Sequence, residues 1–196
     1  MARYTVGVTQ IVLASASPRR RELLRALDLS FEVLPVDIDE RPEPGETARA
    51  LVERLSRQKA EAAAARRRDA LVIAADTVVV VDDAILGKPR GPAENRAFLA
   101  VLAGRAHHVC TGHSLVAGTR RETTVVTTEV TMRPLDEGEI ERYVASGEGL
   151  DKAGGYAIQG RGSALVSGVS GCYFNVVGLS VATVVETARR LGVTLV

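Results

Sequence analysis

Three consecutive arginines, Arg19 to Arg21, stand at a helix start signalled by Ser17 and Pro18 within "LASASPRRRELL". Serine is a favoured N-cap, and proline is pre-shaped for the first helical position. The first turn of a helix already carries partial positive charge and ordinarily attracts Asp or Glu. Cations placed there imply a missing anion, because first-turn N–H groups and guanidinium forks together suit phosphate oxygens. A solvated arginine face is the plain alternative. Consecutive helical residues cannot share one face, so at least one arginine must point outward, and Arg21 is the expected one.

Asp76 interrupts the apolar run "VIAADTVVV". Burying an isolated carboxylate is costly, so it must face a cleft, meet a partner or cap a strand edge. Lysines are few in this arginine-rich chain, and Lys59, Lys88 and Lys152 each mark a place for a compact point charge or ordinary surface. In "DKAGGYAIQGRG" the glycines permit close backbone approach, while Tyr156 and Gln159 can stack on and hydrogen-bond a base. A Gly-rich turn without function fits the spacing equally. The stretch matches neither the dinucleotide fingerprint nor the P-loop. His107, His108 and His113 invite a metal reading, but adjacent strand residues face opposite ways and no HExxH occurs, so they are expected to be structural. Basic groups, a strand carboxylate and a Gly-rich loop with an amide together suggest a nucleotide held by its phosphates. Asp76, with Glu40 expected nearby, would hold a hard divalent cation or activate water.

The whole chain limits these options. Its 196 residues are 46% hydrophobic and 25% charged, enough for one globular domain with a sizeable core. A formal net charge of +1, 4% aromatics and no Trp argue against a nucleic-acid platform or an anionic membrane surface. Cys110 and Cys172 lack paired spacing and read as reduced, packed thiols of a cytoplasmic protein. No basic segment followed by a long apolar one opens the chain, so no signal peptide is expected.

The elements that must position these residues follow from periodicity. Strands are expected over 10–15 and across "FEVLPVDID", with a helix between them from Pro18 to Leu27. A long helix spans about 46–68, with Leu51, Leu55 and Ala62 on one side. Next come a strand through Asp76, a turn at Asp82-Asp83 and a short return. A helix closed by Gly104 leads to two antiparallel partners joined near Thr119. A further helix is capped by Asp136, with Glu139 three residues on. Two short strands are expected between Gly154 and Gly178, then a helix over about 180–191. Interleaved strands and helices with hairpins indicate an α/β fold with a mixed sheet and helices outside it.

Read in order, "LASASPRRRELL", "FEVLPVDIDE", "RLSRQKA", "AADTVVV", "GKP", "HHVCTG", "DKAGGYAIQGRG" and "GCYFNVVGL" resemble the Maf family of nucleoside triphosphate pyrophosphatases nearly end to end. The resemblance implies one domain over residues 1–196, of Maf/ITPase-like fold. Two lobes would surround a long mixed β-sheet with helices packed outside and an active cleft between the lobes, commonly as a homodimer. It implies hydrolysis of the α–β phosphoanhydride of dTTP or UTP, extending to modified pyrimidine nucleotides, with Mg²⁺ or Mn²⁺. Asp76 matches the family's proton acceptor, and Glu40 and Asp76 are the residues expected to hold the metal. Arg19, Thr77 and Gln159 match positions that separate the dTTP/UTP branch from the branch acting on 7-methyl-GTP. Ser15, Arg20, Glu40, Lys59 and Lys88 match cleft-lining positions. The sequence has Gly155 and Ala157 where the family usually reads Ala then Gly, and Ser180 where Pro is usual, which bears on the start of the last helix. The alternatives are a 7-methyl-GTP- or ITP-type pyrophosphatase, or a non-catalytic nucleotide-binding regulator of cell division.

Overall fold

Apolar β-branched runs supply the sheet. In the computed structural model, which describes residues 10–196, β1 (Gln10–Leu13) lies parallel to β2 (Glu32–Val33) and to β3 (Ala70–Val81). The N-terminal stretch behind the signal-peptide expectation begins outside those described residues. β3 reverses at Asp82 and Asp83 into β4 (Ala84–Leu86), with Val80 opposite Ile85. Both aspartates hold positive φ, 47° and 65°, a geometry whose twist matches a two-residue hairpin and which short polar side chains tolerate. Two residues join β5 (Ala106–Ala117) to β6 (Arg120–Met132), and β6 pairs antiparallel with β7 (Val166–Ser170). The order β2-β1-β3-β5-β6-β7, with β4 on β3, makes a seven-stranded mixed sheet.

Among the described residues six α-helices accompany it: α1 (Pro18–Arg25), α2 (Ala48–Ala64), α3 (Pro92–Leu102), α4 (Glu137–Ala145), α5 (Tyr173–Val177) and α6 (Val181–Arg190). This is the α/β class expected. The chain divides into two compact units. The first comprises Met1–Asp76, Thr111–Val126 and Gly178–Val196, and the second Thr77–Cys110 and Thr127–Val177.

In the first unit, strand alternation decides which helix covers which face. Ile11 and Leu13 of β1, with Leu71 and Ile73 of β3, pack against Leu24 of α1 and Val184 and Ala188 of α6. Val12 of β1, with Val72 and Ala74, packs against Ala60 and Ala63 of α2. α2 also lies tight against β5: a Cβ on Gly112 would sit 2.1 Å from the Val52 carbonyl oxygen. The second unit has its own core, in which Val79, Leu99, Leu102, Val109, Val130, Met132 and Tyr143 meet. There α4 opens with a full capping box, Glu139 N–H to Asp136 Oδ1 at 2.7 Å and Asp136 N–H to Glu139 Oε2 at 3.0 Å.

Three expected elements differ. Only Glu32 and Val33 of "FEVLPVDID" form a strand, since Pro35 offers no N–H to a ladder. The stretch from Gly154 to Gly178 holds one strand, β7, two 3₁₀ turns and α5 rather than two strands. Positive φ at Gly154, Gly155 and Gly160 breaks extended pairing there. α2 ends at Ala64, short of the arginines at 66–68, and Arg67 instead pairs with Glu32 at 2.7 Å.

Candidate active site

α1 begins as its sequence demands. The Arg20 N–H reaches Ser17 Oγ at 3.5 Å, and no acid stands in the first turn. Arg20 points inward. Its Nε donates to the Gly178 carbonyl at 2.8 Å, and its Nη1 to the Ala75 carbonyl at 2.7 Å and to Ser15 Oγ at 3.2 Å. Ser15 is buried and also accepts from the Ser17 N–H at 3.2 Å. One guanidinium therefore ties the start of α1 to the strand residue preceding Asp76 and to the turn before α6. That turn is held in its own right, because the Ser180 N–H donates to buried His113 Nε2 at 2.8 Å. Arg19 and Arg21 lie about 100° to either side of Arg20, the angular step of a helix, and both are half-buried. The expectation that Arg21 points outward is thus corrected. Its Nε is shielded from solvent without a hydrogen-bond partner, and Glu22 and Arg25 take the solvent side.

Asp76 follows Ala75 on β3 and is buried. Across from it, α2 delivers Lys59, also buried, whose Nζ meets Asp76 Oδ1 at 2.5 Å and Glu40 Oε1 at 2.6 Å. One ammonium thus bridges two carboxylates. Glu40 comes from the exposed segment between β2 and α2, and its side chain remains 55% accessible. Burial pulls the Arg20 pKa down, while the charges of Asp76 and Glu40 raise it and that of Arg19 lowers it. Arg19, Arg20, Glu40 and Asp76 therefore share one electrostatic neighbourhood. The first unit brings together Ser15, Arg20, Glu40, Lys59 and Asp76, an acid fixed beside an ammonium and a guanidinium. Such a group can bind a polyanion and take a proton from water.

The second unit holds the other candidates. Thr77 follows Asp76 on β3 and is half-buried, and strand alternation turns its side chain to the opposite face. Lys88 and Gln159 are exposed. The Gly154 N–H donates to the Gly87 carbonyl at 3.0 Å, joining the Lys88 loop to the Gly-rich stretch. Glu148 holds the turn after Gln159 by accepting from the Arg161 N–H at 3.0 Å and the Gly162 N–H at 2.8 Å. Tyr156 is corrected from a base-stacking candidate to a core residue. It is buried edge-on against His107, with its hydroxyl 2.6 Å from His107 Nε2. Lys152 is paired with Asp151 at 2.5 Å. Sequence reasoning missed Gly178 and His113 as the seat of Arg20, because 158 residues separate Arg20 from its acceptor and no local pattern links them.

A family model described as Maf-like protein matches residues 10–191. The chain belongs to the Maf family. It is 54% identical over 187 residues to a "dTTP/UTP pyrophosphatase" of Myxococcus xanthus (strain DK1622), covering 95% of each chain. Against the proteins of the same name from Moorella thermoacetica and Desulforamulus reducens it is 50% and 46% identical, over 95% of this chain and 97% and 98% of theirs. The Maf match runs through both units, and every candidate residue falls within it.

Proposed function

We propose that this Maf protein hydrolyses the α–β phosphoanhydride of dTTP or UTP, releasing the nucleoside monophosphate and pyrophosphate. The observation that carries this reading is the Lys59-bridged pair Asp76 and Glu40 beside Arg20, in a chain similar throughout to dTTP/UTP pyrophosphatases.

In this mechanism water attacks the α-phosphorus as its proton passes to an Asp76 oxygen. The bond from the α-phosphorus to the bridging oxygen breaks, and that oxygen leaves with the electron pair on pyrophosphate. Lys59 and Lys88 offset the charge developing there, while Arg19, Arg20 and Ser15 hold phosphate oxygens. Gln159 reads the pyrimidine edge, since an amide donates and accepts side by side as the adjacent carbonyl and N–H of uracil or thymine require. Thr77 contributes to the same selectivity.

A divalent cation fits the residues present. Two carboxylates sharing one ammonium already form a seat for positive charge. No group of three or more His, Cys, Asp or Glu suited to a full protein cage occurs among the described residues. Mg²⁺ is ordinarily held by one or two carboxylates plus substrate phosphates, and Mn²⁺ accepts the same oxygen donors. Glu40 and Asp76 would hold the ion, which when bound polarises phosphate and lowers the pKa of water. We further propose a cytoplasmic homodimer. Among the described residues both cysteines are free and no helix is long and apolar enough to cross a membrane.

The test is a panel of triphosphates at equal concentration with Mg²⁺ or Mn²⁺, products identified as monophosphate and pyrophosphate. dTTP and UTP should lead. Preference for 7-methyl-GTP or ITP would move the protein to another branch, and no pyrophosphate release from any of them would leave a non-catalytic nucleotide binder. Asp76→Asn should lower kcat about 10²- to 10⁴-fold, the span of a general base, and near-normal turnover would reject that role. Gln159→Ala should erode the preference for UTP over purine triphosphates while leaving kcat for the poorer substrates nearly unchanged.

A further inference from the structure

The segment that carries Glu40 to Lys59 has no apolar anchor. From Asp37 to Thr47 not one residue is buried, and only Ile38 and Glu46 are even half-buried. Side-chain ties hold this stretch: Asp39 and Arg41 pair within it, and Glu46, Glu43 and the Arg41 carbonyl all meet Arg54 of α2. Arg54 Nε donates to Glu46 Oε1 at 2.8 Å and its Nη2 to Glu46 Oε2 at 2.7 Å, a two-pronged grip. The same Nη2 donates to the Arg41 carbonyl at 3.1 Å, on the residue next to Glu40. Glu43 Oε1 stands 3.5 Å from Nε. Glu46 in turn accepts from the Glu43 N–H at 3.0 Å, so the loop is knotted on itself as well as on the helix. The side chains of Arg54 and Glu46 are 14% and 8% accessible, the best shielded pair of charges on this segment. Hydrogen bonds from Arg54 hold the Glu46 carboxyl down at about 2, so the knot stays charged throughout the neutral range.

We propose that Arg54 is a positioning residue for hydrolysis: by gripping Glu46 and the Arg41 carbonyl it fixes the backbone of Glu40, and through Glu40 the bridge of Lys59 to Asp76. The proposal rests on the reading of Glu40, Lys59 and Asp76 as catalytic machinery. A planar fork suits this task because its rigid, paired N–H groups match both oxygens of a carboxylate while leaving a donor for the carbonyl, whereas an ammonium binds as a point charge without that geometry. Without it, the segment around Glu40 loses its two-pronged tie to α2, and the conformational freedom of a stretch with no buried residue opposes the Glu40 contact with Lys59. Displacement of a catalytic group by about 1 Å can cost on the order of 10²-fold in rate.

The experiment is a double-mutant cycle on the full chain, read as kcat/KM for UTP together with thermal midpoint. Arg54→Ala should lower kcat/KM about 10- to 100-fold in the parent and have no further effect in a Glu40→Gln background, since the position it fixes then serves nothing. Glu46→Gln, which removes the other half of the grip, should reproduce the loss. Arg54→Lys, the variant to use if Arg54→Ala fails to fold, should recover only part of the activity. An equal loss in both backgrounds, or none in the parent, would overturn the proposal and reduce Arg54 to a stability residue. Should Glu40→Gln itself keep parental activity, the reading of Glu40 fails instead, a result the single variant reports before the cycle is closed.

Discussion

Lys59 stands between two acids, and its replacement tests the site's charge balance more sharply than the removal of either carboxylate. Breaking a buried pair by deleting one partner leaves an uncompensated charge and typically costs about 3–5 kcal/mol. Lys59→Met should therefore lower stability by about 3 kcal/mol in urea unfolding, and kcat by 10²-fold or more. Restoring stability by pairing it with Asp76→Asn, without restoring turnover, would separate the two effects. Much of this was legible at residue level. The arginines and Asp76 stood out because their charges conflict with their surroundings: cations at a cationic helix end, an acid within an apolar strand; Lys59 stood out only by the scarcity of lysine in an arginine-rich chain. Arg54 and Glu46 did not, since a charged pair on an exposed loop and helix looks like ordinary surface until the fold joins them.

At the scale of elements, α2 is the most constrained piece of the site. It carries Lys59 and Arg54, buries Ala60 and Ala63, and rides against β5 at Gly112. Gly112→Ala should push a methyl group into the Val52 carbonyl, a backbone atom that cannot step aside. We expect a loss of about 2–3 kcal/mol in urea unfolding and reduced kcat through displaced Lys59. Unchanged stability would mean that helix and strand part without cost. Periodicity located α2, β3 and α4 well because each is long and patterned or strongly capped. It overextended β2 and misread the Gly-rich stretch, where proline and positive-φ glycines overrule the apolar letters around them. Glycine at position 112 gave no signal at all: its reason is the helix lying across it.

Over the whole molecule, two buried histidines set the acid limit. Burial holds His113 at about 4, aided by the Arg20 charge, and His107 at about 4, aided by His108. Each is neutral in the fold and protonates more readily in the unfolded chain, near 6.5. Stability should thus be complete above about pH 6.5 and fall as pH drops toward 4, by roughly 3 kcal/mol for each histidine. Urea midpoints measured between pH 7 and 4 check this, and a His113→Gln variant should flatten the slope. Sequence reading placed the histidines as structural from strand alternation, but gave no hint that His113 supports the turn on which Arg20 rests. The first unit is also assembled from three separate stretches of chain, and its last, Gly178–Val196, supplies both the carbonyl that receives Arg20 and the apolar side chains of α6 that cover β1. Arg20 thus finds its seat only after a residue 158 positions further along the chain has been made, and a chain stopped at Val177 should yield insoluble, inactive protein rather than a weakened enzyme.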